Sequence, residues 1–437
     1  MKEIILINMA SDQDMHEWKK DYNPPLGILS IATCLELHGH DCMVIDYCYE
    51  RKNLLKLVET ILEEHVKIVG FSVYTINVDE AIRISRYLKK TLPYIIILFG
   101  GPHASLDSEY CSKPNSVDYV IRGEGESSVL ELVEAVTSGY SLVIPDQIEG
   151  VCYRKKDRKV ESEIRSHAKN LDLLPIVKRE FVAIEKYKGF INFCTSRGCP
   201  ANCIYCAGSK LGGQGYRIRN IENVILETAY VKNILGDRFE AVYFIDDTFT
   251  AVKKRVLYFI KLRRKFGLLF QWRCESRLDV VDEELLSEIS KNGCIAVHFG
   301  VESGSQEVLN KIQKKLDLEM AKKKLVFAST TGMTICCYFM LGHYCDTMET
   351  MKDTCDLIKE LASKYSIDAT LHYNTPYPGT YQYQYKDELG IRMTSMNYSD
   401  FLGYQPIMET SDFTIHDQLD FYNDVKEYLN LHSFLYE

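Results

Sequence analysis

No apolar run in this chain approaches the ~20 residues that a membrane-spanning helix needs. The longest, residues 94–99 and 335–341, are far shorter, so no membrane span is expected. The opening MKEIILINMA enters a strand-like run without a cleavage site, so no secretory signal is expected either. Positive charge is not in excess: 52 Lys and Arg against 61 Asp and Glu leave −9. That balance argues against a phosphate-backbone binder, although a local basic patch is compatible with it. Internal repeats and low-complexity tracts are absent. With 46% hydrophobic and 26% charged residues, the chain is neither disordered nor collagen-like. The expectation is a folded cytoplasmic protein, and 437 residues at ~150 per domain suggest two or three domains.

What the chain does have is cysteine, 15 of them. An odd number in a long chain without an export signal makes a disulfide framework improbable. Cys34, Cys42, Cys336 and Cys337 sit in apolar segments and read as small buried hydrophobes. A reducing compartment leaves the remaining thiols free for metal.

Residues 1–140 alternate short β-branched runs (4–9, 41–47, 68–74, 95–100, 117–121) with helical patterns (26–37, 54–64, 78–92, 126–137). This alternation predicts a doubly wound, Rossmann-like parallel sheet. Its ligands would sit at the carboxyl ends of the strands, where polar or Gly-rich turns fall at 8–14, 72–77, 100–105 and 122–126. Residues 141–188 read as a linker, with the charge run 154–159, Pro145 and Pro175 as punctuation and a short hairpin near 150–153. From 189 to 378 six further strand–helix units suggest a partial or full β/α barrel, with functional groups at the C-terminal strand ends. The tail, 379–437, is Tyr-rich and reads as a small helical cap, its helix near 415–429.

One segment carries the chemistry. It reads Cys194-Thr-Ser-Arg-Gly-Cys199-Pro-Ala-Asn-Cys203-Ile-Tyr-Cys206. Cys199, Cys203 and Cys206, spaced C-x₃-C-x₂-C, place three thiolates on one tight loop. They can ligate three irons of a cubane and leave the fourth open. A zinc site is the competing reading and needs a fourth ligand, for which Cys194 is the candidate. Three unrelated core cysteines fit the polar, Gly- and Pro-containing loop poorly.

TSRGCPANCIYC resembles the cluster loop of radical S-adenosylmethionine (SAM) enzymes, especially those with an N-terminal cobalamin-binding domain, and the resemblance covers residues 1–380. It implies a [4Fe-4S] cluster on the three cysteines, SAM on the open iron, and Tyr205 beside the adenine. Further matches follow in order. Asp246 and Asp247 would end the next barrel strand, where a carboxylate accepts from the SAM ammonium; a helix N-cap is the plainer use of such a pair. Arg277, in RCESRLD, matches a strand end bordering SAM. Glu302 and Ser303, in GVESGS, would contact the ribose or carboxylate. The sequences 338–342 and 376–380 match two later strand ends. After Gly342 the chain departs from the family's Pro-Gly-Glu-Thr-like turn, and His343 and Cys345 read as local packing.

The first half resembles the cobalamin domain of the same enzymes. The resemblance places the corrinoid against Leu26, Gly27, Ser72, Tyr74, Thr75, Gly100, Gly101, His103, Ser105, Gly123, Glu124, Gly125 and Glu126. Glycines at such turns let a backbone approach a bulky ligand, although every doubly wound sheet also needs some. Other cobalamin domains bind cobalt through His in an Asp-x-His-x-x-Gly loop. Here Asp14-Met-His16-Glu-Trp-Lys19 lacks the Gly, and the expectation is cobalamin without a protein histidine on cobalt.

The implied activity is a cobalamin-dependent radical SAM methyltransferase of the class B type. The reduced cluster would cleave SAM to a 5′-deoxyadenosyl radical that activates an unactivated carbon, and methylcobalamin would donate the methyl group. No general base is nominated. Ring closure or ring contraction without methyl transfer is the alternative within the family, and a non-catalytic iron–sulfur binding protein the alternative outside it. A thiomethylating enzyme of tRNA would need a β-rich C-terminus, and this tail reads helical and acidic. The expected partners are a small-molecule or peptide substrate and an external flavodoxin- or ferredoxin-type electron donor, with no nucleic acid. Tyr381, Tyr383, Tyr385, Tyr398 and Tyr404 would pack the cap or surround an apolar substrate.

Overall fold

The computed structural model describes residues 2–10, 23–50, 53–137, 147–155, 158–187 and 190–429. The Asp14–His16–Lys19 motif lies outside the described residues. The chain forms two compact units, Met1–Tyr187 with Lys210–Gly213, and Lys188–Ser209 with Gln214–Glu437.

The first unit is built on strands β1 (Ile4–Asn8), β2 (Cys42–Asp46), β3 (Ile68–Ser72), β4 (Ile96–Gly100) and β5 (Tyr119–Ile121), parallel in the order 2-1-3-4-5. Helices α1 (Leu26–Leu37), α2 (Leu54–Glu64) and α3 (Val78–Thr91) connect the first four strands, two short helices at Pro102–Leu106 and Ser108–Ser112 lie between β4 and β5, and α4 (Gly125–Thr137) follows β5. The strands are apolar on both faces, as parallel strands covered by helices must be. Leu29, Ala32 and Leu35 of α1 and Leu132 and Val133 of α4 pack with Ile4 and Leu6 of β1 in one core. The strand order reverses at β1, and the neighbouring ends Asn8, Asp46, Ser72 and Gly100 stand in register. A doubly wound sheet offers its ligand crevice at such a switch point.

The stretch read as a linker is partly sheet. Val151–Lys155 (β6) and Arg158–Glu161 (β7) form a hairpin longer than the one expected, and β6 pairs antiparallel with β5 to extend the first sheet. The charge run misled because it belongs to an exposed edge hairpin, where charged side chains discourage pairing with another chain.

The second unit contains six parallel strands: β8 (Ile191–Phe193), β9 (Ala241–Phe244), β10 (Gln271–Ser276), β11 (Cys294–Glu302), β12 (Thr334–Leu341) and β13 (Asp368–Tyr373). They lie in simple sequence order and the first and last do not pair, so the barrel is partial. Helices α5 (Ile221–Leu235), α6 (Lys253–Lys265), α7 (Glu283–Lys291), α8 (Gln306–Lys311), α9 (Leu318–Ser329) and α10 (Met348–Tyr365) alternate with the strands. One sheet face is largely apolar: Phe244 and Trp272 pack edge-on against Phe259 of α6. The opposite face carries Tyr243, Arg273, Glu275, His298, Tyr338 and His372, a polar row at period two.

In the tail, α11 (Ile415–Val425) docks on α10, where the Cys355 thiol faces the Phe421 carbonyl at 3.7 Å and Lys359 pairs with Asp424 at 2.5 Å. The tyrosines have separate uses. Tyr398 is buried against Phe401, Tyr381 and Tyr385 stack half-exposed on each other, and Tyr404 lies beside His372.

Candidate functional site

β8 delivers the cysteine loop to the C-terminal end of the second sheet. The loop base is held by a buried carboxylate: Asp246 accepts from the Thr195 backbone N–H at 2.6 Å and from the hydroxyls of Thr195 and Ser196 at 2.5 and 2.6 Å. Arg255 donates to the Thr195 carbonyl at 2.8 Å, and Arg219, paired with Glu227, donates to the Cys194 carbonyl at 3.2 Å. The loop apex is clasped from two sides. Ile204 N–H donates to the Ile312 carbonyl at 3.2 Å, and its own carbonyl accepts from Gln382 N–H at 3.0 Å.

Cys199, Cys203 and Cys206 are partly or fully accessible, unlike the buried cysteines of the sheets. The Cys206 sulfur accepts the Gly208 N–H at 3.2 Å. Among the described residues, no three His, Cys, Asp or Glu side chains converge on a single ion. Three thiol donors on one loop are the ligand set a cubane takes, one thiolate to each of three irons. Cys194 is turned elsewhere: its thiol donates to the Ser196 carbonyl at 3.1 Å.

The other residues matched to SAM contacts fall into two groups. Tyr205 stands beside the buried His343 ring, centroids 5.6 Å apart, and Asp247 is exposed while its neighbour Asp246 is consumed by the loop base. Arg277 grips Asp279 through two bonds of 2.9 and 3.0 Å and donates to the Lys314 carbonyl at 3.1 Å. Glu302 pairs with Lys314 at 2.6 Å. Ser303 faces Thr354 and accepts from Ser305 N–H at 3.1 Å, and a Cβ on Gly304 would lie 2.4 Å from the Asp353 carbonyl oxygen. The GVESGS turn is thus pressed onto α10, with Ser303 serving the turn itself.

In the first unit, the strand-end turns are interlocked. Ser105 donates to the Gly101 carbonyl at 3.0 Å and accepts from Gly123 N–H at 2.9 Å. Gly101 adopts φ +94°, and a Cβ there would lie 2.9 Å from Val73 N, so only glycine closes this turn. His103 is buried with Nδ1 3.1 Å from the Thr75 hydroxyl; burial lowers its pKa to about 4. Glu124 accepts from Ala168 N–H at 2.9 Å, and the buried Glu126 accepts from Ser30 at 2.9 Å. Gly100 ends β4 beside Ser72 of β3, and Gly125 opens α4 against Ile31. At this edge Leu26 is partly exposed, Gly27 has open space where a Cβ would stand, and Tyr74 is half-exposed.

Arg219, Arg255 and Lys314 were not singled out from the sequence, nor were Tyr243, His298 and His372 of the polar sheet face. A usable signal existed for the last three. Residues at period two in strands of a parallel sheet are normally apolar on both faces, and polar aromatic residues there break the pattern.

The B12 binding domain model matches residues 20–133, and the Radical SAM superfamily model matches residues 193–358. The uncharacterized methyltransferase PH0819 of Pyrococcus horikoshii is 29% identical over 396 residues, 90% of this chain and 84% of its own. The anaerobic magnesium-protoporphyrin IX monomethyl ester cyclase of Rubrivivax gelatinosus is 26% identical, covering 88% of this chain and 70% of its own. Among solved structures, the radical S-adenosylmethionine methyltransferase TsrM of Kitasatospora setae, with cobalamin and a [4Fe-4S] cluster bound, has the same fold. Its TM-score is 0.77 at 16% identity, over 99% of this chain and 92% of that one.

Proposed function

The chain belongs to the radical SAM proteins that carry an N-terminal B12 binding domain, and from that premise we propose that it is a cobalamin-dependent methyltransferase acting on a small molecule or peptide. The observation that carries this reading is the pairing, in one chain, of an accessible C-x₃-C-x₂-C loop at a partial-barrel strand end with a switch-point sheet edge. Methyltransferases among the relatives favour methyl transfer. Ring closure is the second reading, favoured by the cyclase relatives.

Cys199, Cys203 and Cys206 would hold the cluster, and Leu26, Gly27 and Tyr74 would face the corrinoid. When bound, the cluster supplies an electron for SAM cleavage and the corrinoid supplies a methyl group. Asp247, exposed where Asp246 is occupied, is the carboxylate available to a SAM ammonium. Tyr205 offers a ring face to the adenine, and Lys314 pairs with the buried Glu302. A flavodoxin- or ferredoxin-type donor would deliver the electron. No helix among the described residues is long and apolar enough to cross a membrane, and a cytoplasmic location is part of the proposal.

The test is anaerobic incubation of reduced, cofactor-loaded protein with SAM and candidate substrates. Formation of both 5′-deoxyadenosine and S-adenosylhomocysteine is expected. 5′-Deoxyadenosine alone would favour ring closure or contraction; neither product would sink the enzymatic reading.

A further inference from the structure

The turn that follows α8 has a backbone that ending a short helix does not require. The helix closes in a Schellman motif: Gln313 N–H donates to the Asn310 carbonyl at 3.1 Å and Lys314 N–H to the Leu309 carbonyl at 3.0 Å. Gln313 fills the left-handed position at φ +58°, where glycine is usual, and Lys315 is left-handed again at φ +53°. Between them the buried Lys314 is ion-paired with Glu302, itself at φ +77°. Among the described residues five non-glycine residues have positive φ, and three of them meet here. Such backbone states persist only where the surroundings over-determine them.

The carbonyls show what the turn is held for. The last carbonyls of a helix have no partner within it. Here that of Ile312 accepts from Ile204 N–H at 3.2 Å, that of Gln313 faces the Cys203 thiol at 3.8 Å, and that of Lys314 accepts from Arg277 at 3.1 Å. Two successive carbonyls thus serve the cysteine loop. The side chains of Gln313 and Lys315 are exposed, so their backbone conformation, not their packing, is what the loop meets. A cysteine that ligates metal has given up its proton. The Gln313 carbonyl then turns its negative end to the Cys203 sulfur, whereas the Cys206 sulfur receives the Gly208 N–H. Hydrogen bonds to cluster sulfurs favour uptake of an electron, and a carbonyl oxygen opposes it.

We propose that the Gln313–Lys315 turn is a positioning element for Cys203, its two left-handed residues holding the Gln313 carbonyl against the sulfur and so keeping the reduction potential of the cluster low. This role rests on the cluster reading of the three cysteines.

The test is a redox titration, followed by electron paramagnetic resonance, of the anaerobically reconstituted full chain. Val at position 313 or 315 resists the left-handed state, and Gly adopts it freely. Gln313→Val and Lys315→Val should each raise the midpoint potential, and Gln313→Gly and Lys315→Gly should keep the wild-type value. Lys315→Ala serves if the Val variants melt early, with a smaller rise expected. Ser366→Val is the control. Ser366 is exposed at φ +52° and precedes β13, at the end of the sheet opposite the cysteine loop. It should lower the melting temperature by a similar few degrees and leave the potential unchanged. A wild-type potential in the folded 313 and 315 variants, or an equal shift in Ser366→Val, would overturn this role while leaving the cluster reading intact. Wild-type protein that takes up no iron would overturn both.

Discussion

The Lys314 ammonium lies 2.6 Å from Glu302 Oε1, and both side chains are buried. Glu302 adopts φ +77° where the register between β11 and β12 shifts, a backbone state uncommon outside glycine. A Cβ on Gly300 would meet Glu302 Oε1 at 2.3 Å and Lys314 Nζ at 2.8 Å, so glycine makes room for the pair. Lys314→Met strands a buried carboxylate and should cost about 3–5 kcal/mol. Adding Glu302→Gln should recover part of that loss. Chemical denaturation of the two variants checks this; an additive loss would show that the residues do not act as a pair.

Anaerobically reconstituted protein should carry about four irons and four sulfides per chain. Ala at Cys199, Cys203 or Cys206 should abolish SAM cleavage. Cys194→Ala should keep the cluster, because that thiol is engaged with Ser196. Cys111→Ala and Cys152→Ala should keep it as well, both being buried in the first unit. Iron content and SAM turnover are the measurements, and a Cys194 variant without iron would return that residue to the ligand set.

Asp246 and Asp247 are adjacent but should respond differently to substitution. Asp246→Ala removes the acceptor for three donors at the loop base and should destabilise by roughly 2–4 kcal/mol, with cluster loss following. Asp247→Asn should leave the melting temperature within a few degrees, about 1 kcal/mol or less, and raise the SAM concentration needed for cleavage. Equal melting temperatures for the two variants would contradict this division.

Burial lowers His103 and His372 from 6.5 to about 4, against opposing carboxylates at Asp107 and Asp79 for the first and Glu302 for the second. The unfolded chain therefore takes up protons below pH 6.5 that the folded chain refuses until about 4. Their contribution is fully present above pH 6.5 and is lost as pH falls towards 4. Asp46, Asp246 and Asp346, raised by burial, act in the opposite sense. The comparison that isolates the histidines is wild type against His103→Asn/His372→Asn: the variant's melting temperature should fall less between pH 7 and 4.5. Parallel profiles would remove the histidines as the cause.

Cobalamin should be retained without a protein histidine on cobalt. Electron paramagnetic resonance of the Co(II) form, with and without His16→Ala, tests this. Nitrogen hyperfine splitting that vanishes in the variant would make His16 the ligand.

Local chemistry was legible in the amino-acid sequence wherever neighbours in the chain are also neighbours in space. Strand–helix alternation follows from side-chain periodicity, and it located both parallel sheets and most of their helices. The three cysteines fall within eight residues, so their spacing alone described a cluster loop. Only the tertiary structure divided Asp246 from Asp247, since the strand end turns one carboxylate into the Thr195–Ser196 turn and leaves the other exposed. Residues far apart in the chain met in the same way: Arg255 at the Thr195 carbonyl, Lys314 at Glu302, and Glu275 beside Tyr243, His298 and Tyr338 of three other strands. Those contacts depend on strand register, and register is decided by packing across the whole sheet rather than by any one segment.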